Sequence, residues 1–189
     1  RSKLFKIENY KLLLILFNGT VISADFQIFK NINSDNYIWL TIQNINKDPN
    51  DIDYNRILYS SHLIGVIINL NCKNTPEVLS EISNRWMFNC SYFWLMFDDD
   101  VTHSFNILEY ENINVDAEIT VAIHSSDTLH DFHLYDVYNT NFRRGGKLNV
   151  STLGNWNLET GFNLTMTQNK IDRRANWNGI LLHGVLTVI

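Results

Sequence analysis

Apolar residues gather in a few uninterrupted runs, separated by segments rich in Asn, Asp and Ser. His62–Leu70 (HLIGVIINL) and Tyr92–Phe97 (YFWLMF) are nearly continuous. Between them Thr75-Pro76-Glu77-Val78 opens a helix. Thr75 is the expected cap, Pro76 occupies the first helical position where its missing N–H costs nothing, and Glu77 faces the positive end of the dipole. The spacing of Val78, Leu79, Ile82, Trp86 and Phe88 predicts a helix to about residue 88, with these side chains turned toward a core. Strands without a polar face belong to a sheet covered on both sides, so these three elements read as a parallel βαβ unit.

Further elements follow the same logic. Tyr37–Gln43 reads as a strand, and Asp51–Ser60 as a helix capped by Asp48, Asn50 or Asp51. Val101–Glu109 reads as a helix, with strands at Ile119–Ile123 and Phe132–Tyr138. Lys147–Leu153 and Phe162–Gln168 alternate as strands do, with turn residues between them. The expected fold is α/β: a Rossmann-like three-layer sandwich with a largely parallel sheet, more antiparallel in the C-terminal half.

At the amino end, Arg1, Lys3, Lys6 and Lys11 precede the run Leu12–Phe17, and Val21-Ile22-Ser23-Ala24 follows. A positive flank, a short apolar stretch and small residues at the exit make residues 1–24 read as a secretory signal peptide. The same run also reads as a first buried strand. It is too short to span a bilayer, which takes ~20 residues. The chain starts at Arg1 rather than Met and stops inside the apolar run Ile180–Ile189, so it is expected to be part of a longer protein.

Composition narrows the function classes. Charged residues are 19% and aromatics 13% of 189 residues, which excludes a disordered chain, and a net charge of −5 excludes a basic nucleic-acid binder. Charge is unevenly placed. From Trp86 to Phe142 there is no Lys or Arg but ten acids, whereas Arg143 to Arg174 holds six bases against two acids. Two readings stay open: neighbouring faces that pair within the chain, or an oriented surface for a partner subunit.

Candidate chemistry is sparse. Asp98, Asp99 and Asp100 end an apolar strand, as the acids that hold magnesium in nucleotide-binding proteins do, yet no G-x-x-x-x-G-K-[ST] accompanies them. They are expected to leave the carboxyl edge of the sheet and cap the next helix, with a divalent-ion site as the alternative. His124, His130 and His133, with Asp127 and Asp131, are dense but fit no standard zinc spacing. No G-x-S-x-G, H-E-x-x-H or G-x-G-x-x-G occurs. No catalytic residue, metal ligand or cofactor is therefore expected.

Cys72 follows the carboxyl end of one expected parallel strand and Cys90 precedes the amino end of the next. That separates them by ~20 Å at ~3.3 Å per residue, beyond the ~7 Å a disulfide tolerates between Cα atoms. Four N-x-[ST] sequons occur, at Asn18, Asn89, Asn149 and Asn163, about what chance supplies with 26 Asn in the chain. Asn18 would fall within the signal peptide. Asn149 and Asn163 are the credible glycan acceptors, and Asn89 is pressed against a strand start.

Several separated words of the C-terminal half carry a resemblance. Leu134-Tyr135-Asp136-Val137-Tyr138-Asn139 leads into Asn141-Phe142-Arg143-Arg144-Gly145-Gly146-Lys147, then Gly154-Asn155-Trp156, Gly161-Phe162-Asn163-Leu164-Thr165, and Arg173-Arg174-Ala175-Asn176-Trp177-Asn178-Gly179. With Asn69-Leu70-Asn71-Cys72 and Phe88-Asn89-Cys90-Ser91-Tyr92 upstream, this resembles the amino-terminal domain of insect antennal ionotropic receptors, the acid-sensing group 75. That group is related to ionotropic glutamate receptors.

The resemblance implies an extracellular amino-terminal domain over residues 25–172. A junction and the first strand of a truncated ligand-binding domain would occupy residues 173–189. It also implies a place at the extracellular face of the plasma membrane. Its partners would be other subunits, including an ionotropic co-receptor, in a ligand-gated cation channel sensing volatile acids or amines. The domain itself would serve assembly and trafficking, and membrane attachment would come from downstream segments. No ligand-binding residue carries over. The alternative is a secreted soluble protein that binds a small ligand near Asp98–Asp100, at the carboxyl edge of its sheet.

Overall fold

The computed structural model of the chain describes residues 12–17, 39–45, 52, 54, 64–125, 131–157 and 159–176. Its strands are β1 (Leu12–Phe17), β2 (Trp39–Asn44), β3 (Ile64–Asn69), β4 (Tyr92–Asp98), β5 (Glu118–His124), β6 (Asp131–Asn139), β7 (Leu148–Asn157) and β8 (Gly161–Leu164). Helices α1 (Thr75–Asn84) and α2 (Val101–Glu109) connect β3 to β4 and β4 to β5, and a short α3 (Lys170–Arg173) follows β8. The eight strands form one sheet in the order β2-β1-β3-β4-β5-β6-β7-β8. From β2 to β5 every pairing is parallel; from β5 to β8 every pairing is antiparallel. The expected α/β fold, parallel first and antiparallel later, is the one observed.

Side-chain alternation sorts the sheet into two faces. Val66 pairs with Trp94 and Trp94 with Ile119, while Ile68 pairs with Met96 and Met96 with Val121, so these six share a face. All are buried, packed in one cluster with Val78, Leu79 and Ile82 of α1 and Leu108 of α2. Leu95, Ala122 and Leu134 point the other way and form a second cluster with Phe97, Phe132 and Trp156 packed against it. This two-sided burial is why β3 and β4 read as continuous apolar runs. Trp94 is the largest side chain of the first cluster and fully buried. Its indole N–H donates to the Met87 carbonyl at 3.3 Å, and its ring meets Phe88 at 5.1 Å.

Leu12–Phe17, read from sequence as the apolar stretch of a signal peptide with a buried strand as the alternative, is a strand. It is bonded on one side to β2 and on the other to β3. Backbone groups satisfied on both edges are what an interior strand requires. The expected helix at 51–60 lies outside the described residues apart from Ile52 and Tyr54.

Helix α1 departs from expectation at both ends. Thr75 does not cap it: its hydroxyl donates to the Asn69 carbonyl at 3.1 Å, and the cap position falls to Asn74, whose side chain makes no capping bond to the helix. At the other end α1 stops at Asn84, not near Phe88. Trp86 adopts a left-handed conformation at φ 60°, and the N–H groups of Trp86 and Met87 bond back to the carbonyls of Ser83 and Ile82. That two-bond helix stop normally uses glycine. A side chain in this conformation costs about 1–2 kcal/mol. Its consequence is geometric: Trp86 turns outward, 42% exposed, while Met87 and Phe88 bury.

Candidate functional site

Three places in the described structure concentrate polar side chains. The first is the carboxyl rim of the parallel strands. Asp100 caps α2 by accepting from the Thr102 and His103 amides, as the sequence predicts. Asp98 is 2% exposed. It accepts from the Ser104 hydroxyl at 2.6 Å and from the amides of Asp99 and Asp100, and lies 2.7 Å from His103 Nδ1. Burial alone would push its carboxyl up. The bonds from Ser104, His103 and the two amides outweigh it and hold Asp98 below the usual value. Asp99 meets the Asn71 amide at 3.3 Å. These carboxylates are engaged in shaping the β4–α2 turn.

Sequence-level candidates for metal do not converge. His124 pairs with Phe132 and His133 with Ile123, so the two imidazoles leave opposite faces of the sheet. His124 packs on Phe132, and His133 Nδ1 lies 2.7 Å from Asn155 Oδ1. His130 and Asp127 lie outside the described residues. Cys72 and Cys90 flank the opposite edges expected of them, and both are free thiols. Burial pushes the Cys72 thiol up, while a bond to Asp116, followed by burial, pushes Cys90 up.

The second place is the exit of the chain over the sheet. Arg174 is 3% exposed. Its Nη2 lies 2.5 Å from Asp136 Oδ1 and its Nε 3.3 Å from Asp136 Oδ2, while Nη1 donates to the carbonyls of Val115 and Ala117 at 2.7 and 2.8 Å. The same guanidinium lies 4.5 Å from the centre of the Tyr138 ring. Arg173 Nε adds a bond to Asp136 at 2.8 Å, and the Arg173 carbonyl accepts from the Tyr138 hydroxyl. Lys170 reaches the Asp116 carbonyl and Glu118. The basic segment thus folds back onto the acidic one, the intramolecular reading of the charge asymmetry. The anchor straddles the boundary expected between residues 172 and 173.

The third place is a cleft of about 400 Å³ at the amino rim, between the end of α1, the turn after α2 and the 3₁₀ turn Phe142–Arg143–Arg144. Trp86 forms one wall, with the Arg143 guanidinium 3.6 Å from its ring centre. Tyr110, 79% exposed, stands at the rim. Glu111 lines the cleft at 8% exposure. Burial pushes its carboxyl up, opposed by a bond from Ser83. The Ser83 hydroxyl also accepts from the Asn112 amide at 2.7 Å. Sequence reading placed Trp86 in the core and gave Glu111 no role; no glycine marks the helix stop that brings them together.

Of the sequons, Asn163 is exposed on the edge strand β8. Asn149 is half-buried and donates to the Lys147 carbonyl. The Asn89 side chain is committed at both ends, donating to the Trp86 carbonyl and accepting from the Ser91 amide. Asn18 lies outside the described residues. No helix among the described residues is long and apolar enough to cross a membrane.

The sequence matches the family described as "Ionotropic receptor 75a N-terminal" over residues 4–187. Ionotropic receptor 75a of Drosophila sechellia is 25% identical over 104 residues, covering 53% of this chain and 16% of that protein. Ionotropic receptor 75a of Drosophila melanogaster is 26% identical over 92 residues, 47% of this chain and 15% of that protein. The chain therefore aligns with a small part of either relative's length. With nearly its whole length matched, the chain belongs to the ionotropic receptor 75a N-terminal family.

Proposed function

We propose that this chain is the extracellular amino-terminal domain of a chemosensory receptor subunit, and that it serves assembly and trafficking rather than chemistry. In this reading the outermost domain, with β1 in its sheet, runs to residue 172, and 173–189 lead into a ligand-binding domain. The whole receptor would be a ligand-gated cation channel for volatile acids or amines at the plasma membrane, paired with an ionotropic co-receptor. Ligand would favour one state of that ligand-binding domain by differential affinity and so bias the gate. Asn163 is the first glycan acceptor in this reading, Asn149 the second and Asn89 the last.

One observation carries the reading: Asp136, Arg173 and Arg174 bind the departing chain to the sheet by charge-assisted bonds, buried at Arg174 and partly buried at Arg173. A domain that must hand orientation to whatever follows needs a rigid exit, and an anchor of this kind supplies one. The Asp98–Asp100 rim, by contrast, spends its carboxylates on the local turn, which leaves the small-ligand alternative without a feature in its favour.

Co-expression of the chain with an ionotropic co-receptor in insect cells tests the proposal. The expected result is capture of the co-receptor with the chain on the secretory route, with loss of mobility shift after glycan removal. Failure of capture, with the chain folded and secreted, would overturn the assembly role.

A further inference from the structure

We propose that the cleft between Trp86 and Glu111 is a contact surface for a second copy of this chain. A two-fold axis would set Arg143 of each copy against Glu111 of the other. The inference rests on the assembly reading and names its surface.

Trp86 and Tyr110 are among the few large apolar side chains exposed in the described structure, at 42% and 79%, and both line this cleft. With Arg143 they complete the trio of residue types that dominates the energetics of protein–protein contacts. The outward direction of Trp86 is built into the backbone. A left-handed bulky residue is uncommon, and it persists because the helix stop and the burial of Met87 and Phe88 fix it. Arg143 lies over the indole, so both side chains are ordered before any partner arrives, which lowers the cost of association.

Charge selects the occupant. Arg143 makes no ion pair among the described residues, and its N–H edges remain available beside the indole. Glu111 is nine-tenths buried in the same cleft, with Ser83 as its hydrogen-bond donor among the described residues, and that leaves acceptor positions open. A purely basic partner would satisfy Glu111 but press like charge on Arg143; a purely acidic one would do the reverse. Either leaves a desolvated charge without a counter-charge. A second copy brings both complements at once, because in an isologous contact residue i meets j while j meets i.

Sedimentation equilibrium of the 189-residue chain, from about 1 to 100 µM, reads the outcome. The expected result is a monomer–dimer equilibrium. Arg143→Glu and Tyr110→Ala should each raise Kd by about 30-fold, as loss of a contact of about 2 kcal/mol does. Both side chains are exposed, and unchanged melting curves would show that the fold survives. A charge-swapped Arg143→Glu/Glu111→Arg chain should recover self-association. Dimers as tight in Arg143→Glu and Tyr110→Ala as in the parent would overturn the cleft as the surface. A parent chain that stays monomeric yet captures a co-receptor would overturn the homotypic contact and leave the assembly reading standing. A chain that does neither would overturn both.

Discussion

Arg174 and Asp136 form a two-pronged buried pair, 38 residues apart in sequence, with side chains 3% and 6% exposed. Every bond the structure gives that guanidinium is to a fixed group: Asp136, or the carbonyls of Val115 and Ala117 that lead into β5. The pair joins the last described segment to two neighbouring strands. It works as a clasp because both charges are desolvated and neither has water to retreat to.

Asp136→Asn should therefore destabilise by about 3–5 kcal/mol, since it leaves a buried cation without its counter-charge. At this chain length a kilocalorie moves Tm by roughly 2–4 °C, so calorimetry should register a fall of roughly 10 °C. Arg173→Ala, at a partly open position, should cost only about 1 kcal/mol. Equal losses for the two variants would contradict the clasp as described.

Asp98 makes stability depend on pH in a direction that can be worked out. Its folded pKa is lowered below the ordinary 3.8. Its contribution is then fully present above 3.8 and disappears as pH falls through the folded value. Asp98→Asn should cost about 2–3 kcal/mol at pH 6, the scale of hydrogen bonds to a charged acceptor. The gap between variant and parent should stay flat from pH 6 down to about pH 4 and then narrow. A gap that widens on acidification would contradict it.

Much of this arrangement was legible before any coordinates. Continuous apolar runs at His62–Leu70 and Tyr92–Phe97 exposed β3 and β4 because both faces of those strands are covered. Asp100 announced the start of α2, and the absence of any base between Trp86 and Phe142 offered, as one of two readings, a later basic segment that folds back. Illegible were the features set by distant partners or by unexpected residues. Leu12–Phe17 reads both as a leader and as a strand, because an interior parallel strand is as uniformly apolar as a signal's core. The outward turn of Trp86 had no glycine to mark it, so helical periodicity wrongly carried the residue into the core. Arg174 gave no hint of Asp136, because pairing at that separation is decided by topology.

Glu111 should behave oppositely to Asp98. Burial raises its folded pKa above the ordinary 4.5 despite the Ser83 bond. A raised acid stabilises the fold fully below its unfolded value and loses that contribution as pH rises through the folded one. In dilute, monomeric chain, Glu111→Gln should thus melt with the parent below about pH 4.5 and above it at pH 7. Thermal melts across that range check the sign; a variant less stable than the parent at pH 7 would mean an unrecognised cation already faces the carboxylate.

Two glycines with positive φ separate backbone strain from lack of room. Gly145, at φ +78°, ends the 3₁₀ turn with nothing within 4 Å of where a Cβ would stand. Gly154, at φ +153°, lies in β7 beside the register shift of β6, and a Cβ there would sit 2.1 Å from the Asn163 carbonyl oxygen. Gly145→Ala meets only the conformational penalty, about 1–2 kcal/mol. Gly154→Ala adds a collision with backbone, which cannot relax without parting β8 from β7, so its cost should exceed about 3 kcal/mol or appear as loss of the β7–β8 pairing. Chemical denaturation gives the two free energies, and amide exchange at residues 161–164 shows whether the edge strand has come away. Comparable losses with β8 still protected would mean that the close approach at Gly154 yields more easily than a backbone contact should.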